Sequence, residues 1–180
     1  WRDEDMADVF TARAIAFIEE HRRDPFFLFF STHDIHVPRM PHERFQGATA
    51  LGYRGDAIRQ MDWCVGQLLD TLDRLNLTDQ TLVVFCSDNG PSYIHDFNSA
   101  GPFRGKKGTL FEGGIRVPAI VEWPAVLKGP GVVETPCVTS DFYPTILALL
   151  DIEMENQPVL DGLNILPILE GKATERREPI

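Results

Sequence analysis

The sequence is poor in cysteine, in positive charge and in long apolar runs. Three cysteines, Cys64, Cys86 and Cys137, are widely spaced, with no CxxC pair. That excludes a disulfide-dense scaffold and a thiolate zinc finger, and leaves three small residues expected in the core. Lys+Arg number 17 against 27 Asp+Glu, a formal net charge of -10, and both halves are acidic. Duplex nucleic acid is thereby set aside as the main partner, since phosphate binding rests on dense Lys and Arg. No run approaches the roughly 18 apolar residues a membrane span needs, so none is expected. The phosphate-loop pattern GxxxxGK[ST] is absent too, which leaves nucleotide binding without support. Trp1 to Asp5 (WRDED) has neither the basic start nor the apolar heart of a signal peptide. With no initiating Met, the true N-terminus is expected upstream.

What is present suffices for a folded core: 43% hydrophobic residues and 10% aromatics in 180 residues, the size of one domain or a large piece of one. Met6, Val9, Phe10, Ala14, Phe17 and Ile18 recur at helical spacing, so the pattern predicts a helix over residues 5–22, stopped by Asp24-Pro25. Phe26 to Phe30 (FFLFF) then reads as a strand buried on both faces, as in parallel sheets. Ile58, Met61, Val65, Leu68, Leu72 and Leu75 predict a helix over 53–76, and Thr81 to Cys86 a second buried strand. Val117 to Trp123 is a third strand candidate, with Pro118 confined to its end. Phe142 to Leu150 reads as a helix with its N-cap at Ser140-Asp141, and residues 161–171 as a short turn-rich element. This alternation is that of a layered α/β domain with a mostly parallel sheet flanked by helices.

In such sheets ligands gather at the carboxyl ends of strands, which selects three segments. After FFLFF come His33 and His36, with His42 further on. An imidazole there could protonate a leaving group, bind zinc, or simply be satisfied by loop backbone. After the second strand stand Asp88 and Asn89. They are two hard oxygen donors suited to Ca²⁺ or Mg²⁺, in a sequence that is equally a common turn. The third segment, Gly101 to Gly114, holds five of the 14 glycines. Arg104, Lys106, Lys107 and Arg116 stand there against Glu112 alone. Glycines permit anion-cradling turns and a lysine suits a tetrahedral oxyanion, whereas the plainer reading is a solvated basic loop.

Together these segments resemble the type I sulfatases of the alkaline phosphatase superfamily. The matching stretches are His33-Asp-Ile-His-Val-Pro38, Ser87-Asp-Asn-Gly-Pro91 and the long run Gly105-Lys-Lys-Gly-Thr-Leu-Phe-Glu-Gly-Gly-Ile-Arg-Val-Pro118. Thr139 to Thr145 and Asp161-Gly162 look like the end of that family's catalytic domain. The resemblance implies that Asp88 and Asn89 are ligands to one divalent ion, usually Ca²⁺. It implies that His36 contacts the sulfate ester and its leaving oxygen, with His33 the less favoured holder of that role. Lys107 matches the lysine on the sulfate, with Lys106 as its natural control, and Arg104 is expected to bind substrate. Glu112, Gly113, Gly114 and Arg116 are expected to hold the loop's shape. His36, Lys107 and the Asp88/Asn89 couple are expected to surround one tetrahedral anion, where they favour charge developing on the sulfuryl and leaving oxygens.

The family's nucleophile is a formylglycine made from the Cys or Ser that opens a Cys/Ser-x-Pro-x-Arg motif, and no Cys or Ser here opens one. The family's paired N-terminal aspartates are missing as well, as is its additional lysine and histidine pair. Residues 1–180 are therefore expected to be the later, C-terminal part of a sulfatase catalytic domain, incomplete at the N-terminus and inactive alone. The expected substrate is a sulfated small molecule or glycan, and an extracytoplasmic location (periplasmic, secreted or lysosomal) follows by family analogy. Two rivals remain. One is a phosphate or phosphonate ester hydrolase of the same superfamily, with a two-zinc site drawn from His33, His36, His42 and His95. The other is a non-catalytic anion- or carbohydrate-binding remnant.

Overall fold

The structure, a computed structural model, describes residues 2–92, 100–128 and 131–176. They form two compact units, Trp1–Thr81 and Leu82–Ile180.

The first unit is built on helices α1 (Met6–Glu20) and α2 (Gly52–Arg74), packed against one another. Both spans agree with the spacing of apolar residues, but the buried stripes are rotated. α1 buries Ala7, Thr11, Ala14 and Ile18, and α2 buries Ala57, Gln60, Cys64, Thr71 and Leu72, while Val9 and Ile58 are exposed. Most of the buried positions carry small or polar side chains, with Ile18 and Leu72 the large apolar ones among them. Arg44 locks the pair. Its guanidinium forks onto Asp8 of α1, with Nη1 donating to Oδ2 at 2.6 Å and Nη2 to Oδ1. It also lies over the rings of Phe45 and Trp63, 4.6 and 4.4 Å from their centroids. The hydrogen bond from Arg44 holds the Asp8 carboxyl below its ordinary pKa.

Phe26–Phe30 departs from expectation. It forms no strand, and Phe27 and Phe29 are 74% and 81% exposed. A ladder needs a partner, and among the described residues nothing pairs with this segment.

The second unit carries β1 (Val83–Cys86) and β2 (Ala119–Glu122), paired antiparallel with Val84 opposite Val121 and Phe85 opposite Ile120. This is the single strand pairing among the described residues, where a parallel neighbour was expected. The strand over 81–86 was expected to be buried on both faces, yet Val84 and Cys86 are exposed, because a two-stranded ribbon covers one face at most. Pro118 sits just ahead of β2, where its missing N–H costs no ladder bond. The cysteine expectation holds for Cys64 alone, since Cys86 and Cys137 are exposed.

One-turn helix α3 (Glu112–Ile115), α4 (Phe142–Leu149) and one-turn α5 (Leu166–Leu169) complete this unit. Asp141 stands at the N-cap of α4 but its carboxylate makes no capping bond. Instead it accepts from the N–H of Val138 and of Leu163, both at 2.8 Å, and from both terminal nitrogens of Arg176 at 2.6 and 2.9 Å. It is drawn into a fork that a cap cannot match.

Helices α2, α4 and α5 end alike. Asn76, Asp151 and Gly171 adopt left-handed φ values of 55°, 52° and 70°. The next residue then bonds back five positions: Leu77 N–H to Leu72 O at 2.8 Å, Ile152 to Leu147 at 3.0 Å, Lys172 to Pro167 at 2.8 Å. Asp151 fits worst, since an L side chain is strained there and its charge opposes the negative helix end. Asp151→Gly is expected to stabilise the unit by about 1 kcal/mol, read from a denaturation midpoint; an unchanged or lower midpoint would refute it.

Candidate active site

β1 runs out at Cys86, and the turn Ser87-Asp88-Asn89-Gly90-Pro91 follows at its carboxyl end. Ser87 Oγ donates to Asn89 O at 3.0 Å, and Asn89 Nδ2 donates to Gly90 O at 2.9 Å. A carbonyl can only accept, so that bond orients the Asn89 amide and leaves Oδ1 as its outward acceptor. Asp88 beside it is exposed. The turn therefore offers a carboxylate and an amide oxygen.

This turn is fastened to the glycine-rich loop by two backbone bonds, Gly90 N–H to Gly114 O at 2.8 Å and Lys107 N–H to Pro91 O at 2.9 Å. The approach requires glycine on the turn side, where a Cβ on Gly90 would stand 1.9 Å from Gly113 O, and the fold of the loop itself requires Gly113, whose Cβ would stand 2.5 Å from Gly105 O. Within the loop, Thr109 accepts from Lys106 N–H at 3.0 Å and donates from the same hydroxyl to Lys106 O at 2.8 Å. Lys106 is half-buried in that bracket and Lys107 is exposed. Arg104 lies over Phe111 at 4.0 Å, and Arg116 lies over Phe103 at 4.5 Å and bonds Glu112 at 3.2 Å. Arg116 and Glu112 are thus engaged with the loop itself, and Arg104 presents a stacked guanidinium.

The histidines belong to the first unit. His36 N–H donates to His33 O at 3.1 Å, closing a turn. The His33 ring meets Phe10 of α1 edge-on at 5.9 Å and is half-buried. His36 is exposed, with Nδ1 2.7 Å from Val37 O. A carbonyl requires the proton on Nδ1, so Nε2 is the nitrogen left to meet a substrate. His42 is tied at Nδ1 to Arg44 N–H at 3.3 Å, and His95 lies outside the described residues, as does most of the Ser92 to Ala100 loop. The structure thus joins the Asp88/Asn89 turn to Arg104 and Lys107 within one unit and places His33 and His36 on one turn of the other. Among the described residues no group of three or more His, Cys, Asp and Glu could hold a metal ion.

The family model described as Sulfatase matches residues 2–152. The chain belongs to the sulfatase family. It is 40% identical to an N-acetylgalactosamine-6-O-sulfatase of Bacteroides thetaiotaomicron, covering 100% of this chain and 37% of that protein. It is 39% identical to human arylsulfatase H, covering 96% of the chain and 32% of the relative. The chain thus spans about a third of the length of these curated sulfatases. In structure it resembles a sulfatase of a B. thetaiotaomicron glycosaminoglycan-metabolism locus, with TM-score 0.90 and 41% identity over 99% of this chain and 39% of that one. The protein Ps i-CgsB, solved with a neocarrahexaose, matches at TM-score 0.82 and 29% identity over 89% of this chain and 37% of that one. The sulfatase α/β fold is therefore the fold of this chain, and no helix among the described residues is long and apolar enough to cross a membrane.

Two features of this sulfatase segment escaped the sequence. The Thr109 hydroxyl grips the backbone of Lys106, the half-buried one of two adjacent lysines, and residue type alone does not reveal it. Gln60 of α2 holds the histidine segment, although a polar residue on the buried stripe of an amphipathic helix was a readable signal.

Proposed function

We propose that the chain is the later part of the catalytic domain of a sulfuric ester hydrolase. In the full-length enzyme it cleaves sulfate monoesters of a sugar or other small molecule, outside the cytoplasm by analogy with its family. The observation that supports this most is the backbone lacing of the Asp88-Asn89 turn to the Lys107 loop, within a chain 40% identical to a named sulfatase. As sulfate ester cleavage proceeds, negative charge grows on the leaving oxygen and spreads over the sulfuryl oxygens. Lys107 holds its ammonium on those oxygens as a compact charge, and Arg104 adds a planar donor for the substrate. His36 delivers a proton from Nε2 to the leaving oxygen while Val37 O retains the proton on Nδ1.

Asp88 and Asn89 Oδ1 suit a hard divalent cation such as Ca²⁺ and would hold it on one side. Bound there, the ion would stabilise anionic oxygen. Two donors fall short of the six or more that calcium takes. The formylglycine does not fit: the chain has no Cys/Ser-x-Pro-x-Arg, so the nucleophile is not among these residues.

Residues 1–180 alone are accordingly expected to give no turnover of 4-nitrophenyl sulfate and no calcium binding at micromolar concentration. Activity is expected from the full-length protein. Turnover by the isolated chain would overturn the reading of it as incomplete. A full-length protein that hydrolyses phosphate monoesters in preference to sulfate would overturn the sulfatase assignment.

A further inference from the structure

Gln60 is buried on α2, and its two amide ends are both engaged. Nε2 donates to Asp34 Oδ1 at 2.6 Å, and Oε1 accepts from the backbone N–H of His42 at 2.8 Å. The carboxylate can only accept and the N–H can only donate, so the amide has one orientation. One side chain therefore fastens the loop to the helix at positions 34 and 42, on either side of His36. Asp34 lies between the two histidines, inside the turn closed by His36 N–H and His33 O, and is only 4% exposed. A carboxylate is a costly anchor, because burying it forfeits hydration that an apolar side chain would never have had. The arrangement gives the loop a fixed polar seat rather than a greasy one. With Nδ1 of His36 bound to Val37 O at 2.7 Å, the direction of Nε2 is set by the backbone of this same turn.

We propose that Asp34 and Gln60 are positioning residues for proton delivery by His36. Gln60 seats Asp34, Asp34 seats the turn, and the turn aims Nε2 at the leaving oxygen. This rests on the reading of His36 as the proton donor. In the step concerned, an oxygen nucleophile from outside these residues bonds to sulfur as the S–O bond to the leaving group breaks, the electron pair of the broken bond stays on the leaving oxygen, and the Nε2 proton of the imidazolium passes to it. A mis-aimed donor matters most when the leaving group is a poor one, such as an alkyl or sugar hydroxyl, and hardly at all for 4-nitrophenolate, which departs without a proton.

The test compares 4-nitrophenyl sulfate with an alkyl sulfate, using the full-length enzyme carrying His36→Ala, Asp34→Ala, Asp34→Asn or Gln60→Met. Asp34→Ala and Gln60→Met are expected to lower kcat on the alkyl sulfate roughly 10–100-fold with a clearly smaller loss on 4-nitrophenyl sulfate, and His36→Ala is expected to lower both rates further with the same bias towards the alkyl sulfate. Asp34→Asn keeps an acceptor oxygen towards Gln60 and is expected to recover most of the alkyl sulfate rate. A structural defect would instead depress both substrates alike, and that result for Asp34→Ala and Gln60→Met beside a leaving-group-dependent His36→Ala overturns the positioning role while sparing His36. If His36→Ala shows no dependence on the leaving group, the donor assignment itself fails and the positioning role falls with it. Should Asp34→Ala fold poorly, Gln60→Met, close to glutamine in volume, supplies the same comparison.

Discussion

Lys107→Ala is expected to lower kcat/KM of the full-length enzyme about a thousandfold on any sulfate ester, whereas Lys106→Ala costs less than about tenfold. The two lysines are neighbours of equal charge, so composition cannot separate them. The loop separates them. Lys106 is half-buried, with its backbone gripped on both sides by the Thr109 hydroxyl. Lys107 is exposed, and its N–H is bonded to Pro91 O at 2.9 Å, two residues beyond Asn89. The Lys107 backbone is fastened beside the oxygen-donor turn, and on the proposed reading its ammonium acts on the same developing charge, where preorganised charge accounts for large rate effects. Lys107→Arg tests geometry as distinct from charge, because a planar fork does not replace a point charge, and a partial loss is expected. Steady-state kinetics on one aryl and one alkyl sulfate decide the matter. Equal losses at 106 and 107 would mean that the loop contributes only diffuse positive potential. A larger loss at 106 would reverse the assignment.

How much of this was legible beforehand differs by element. The helices over 6–20 and 52–74 were readable to within two residues from apolar periodicity, and so was the helix after Asp141. Their buried faces were readable only in part: Ala14, Ile18 and Leu72 stand in the apolar pattern and are buried, whereas Val9 and Ile58 stand in it and are exposed. Ala7, Ala57 and Cys64 carry little weight in an apolar pattern, yet they are buried while bulkier neighbours are not. Periodicity locates an amphipathic stripe without telling which edge of it meets the neighbour. FFLFF was misread because an apolar run states a need for burial and says nothing of whether a partner strand is at hand. At the site, the glycines of 105–114 announced close backbone approach, and the Gly90–Gly113 contact is such an approach. That Asn89 turns its Oδ1 outward, that His36 keeps its proton on Nδ1, and that Gln60 spans the loop depend on hydrogen bonds between residues 1 to 26 positions apart. Such bonds leave no periodic trace in a sequence.

Asp141→Asn is expected to destabilise the second unit by about 3–5 kcal/mol. The carboxylate is fully buried, and the Arg176 side chain paired with it is only 7% exposed. It ties three strands of sequence together: the approach to α4 through Val138, the segment ahead of α5 through Leu163, and the tail through Arg176. Neutralising it leaves a guanidinium buried without its counter-charge, which is worse than never having built the pair. Burial alone would raise the carboxyl pKa, but the Arg176 hydrogen bonds and the Val138 and Leu163 N–H groups outweigh it and hold the pKa below the ordinary value. The folded state thus binds this proton less readily than the unfolded chain. Its stabilising contribution is complete above the unfolded carboxyl pKa of about 3.9 and disappears as pH falls through the lower folded value. Wild type is expected to lose stability on acidification in that window, and Asp141→Asn, already lacking the contribution at pH 7, is expected to show a flatter profile there. Arg176→Lys keeps the charge and loses the fork, so a smaller loss is expected. Hydrogen exchange of the α4 amides in the full-length protein, followed from pH 7 downwards, reads the effect locally. Amides of α4 that exchange at the wild-type rate in Asp141→Asn would show that the tail is held by other means.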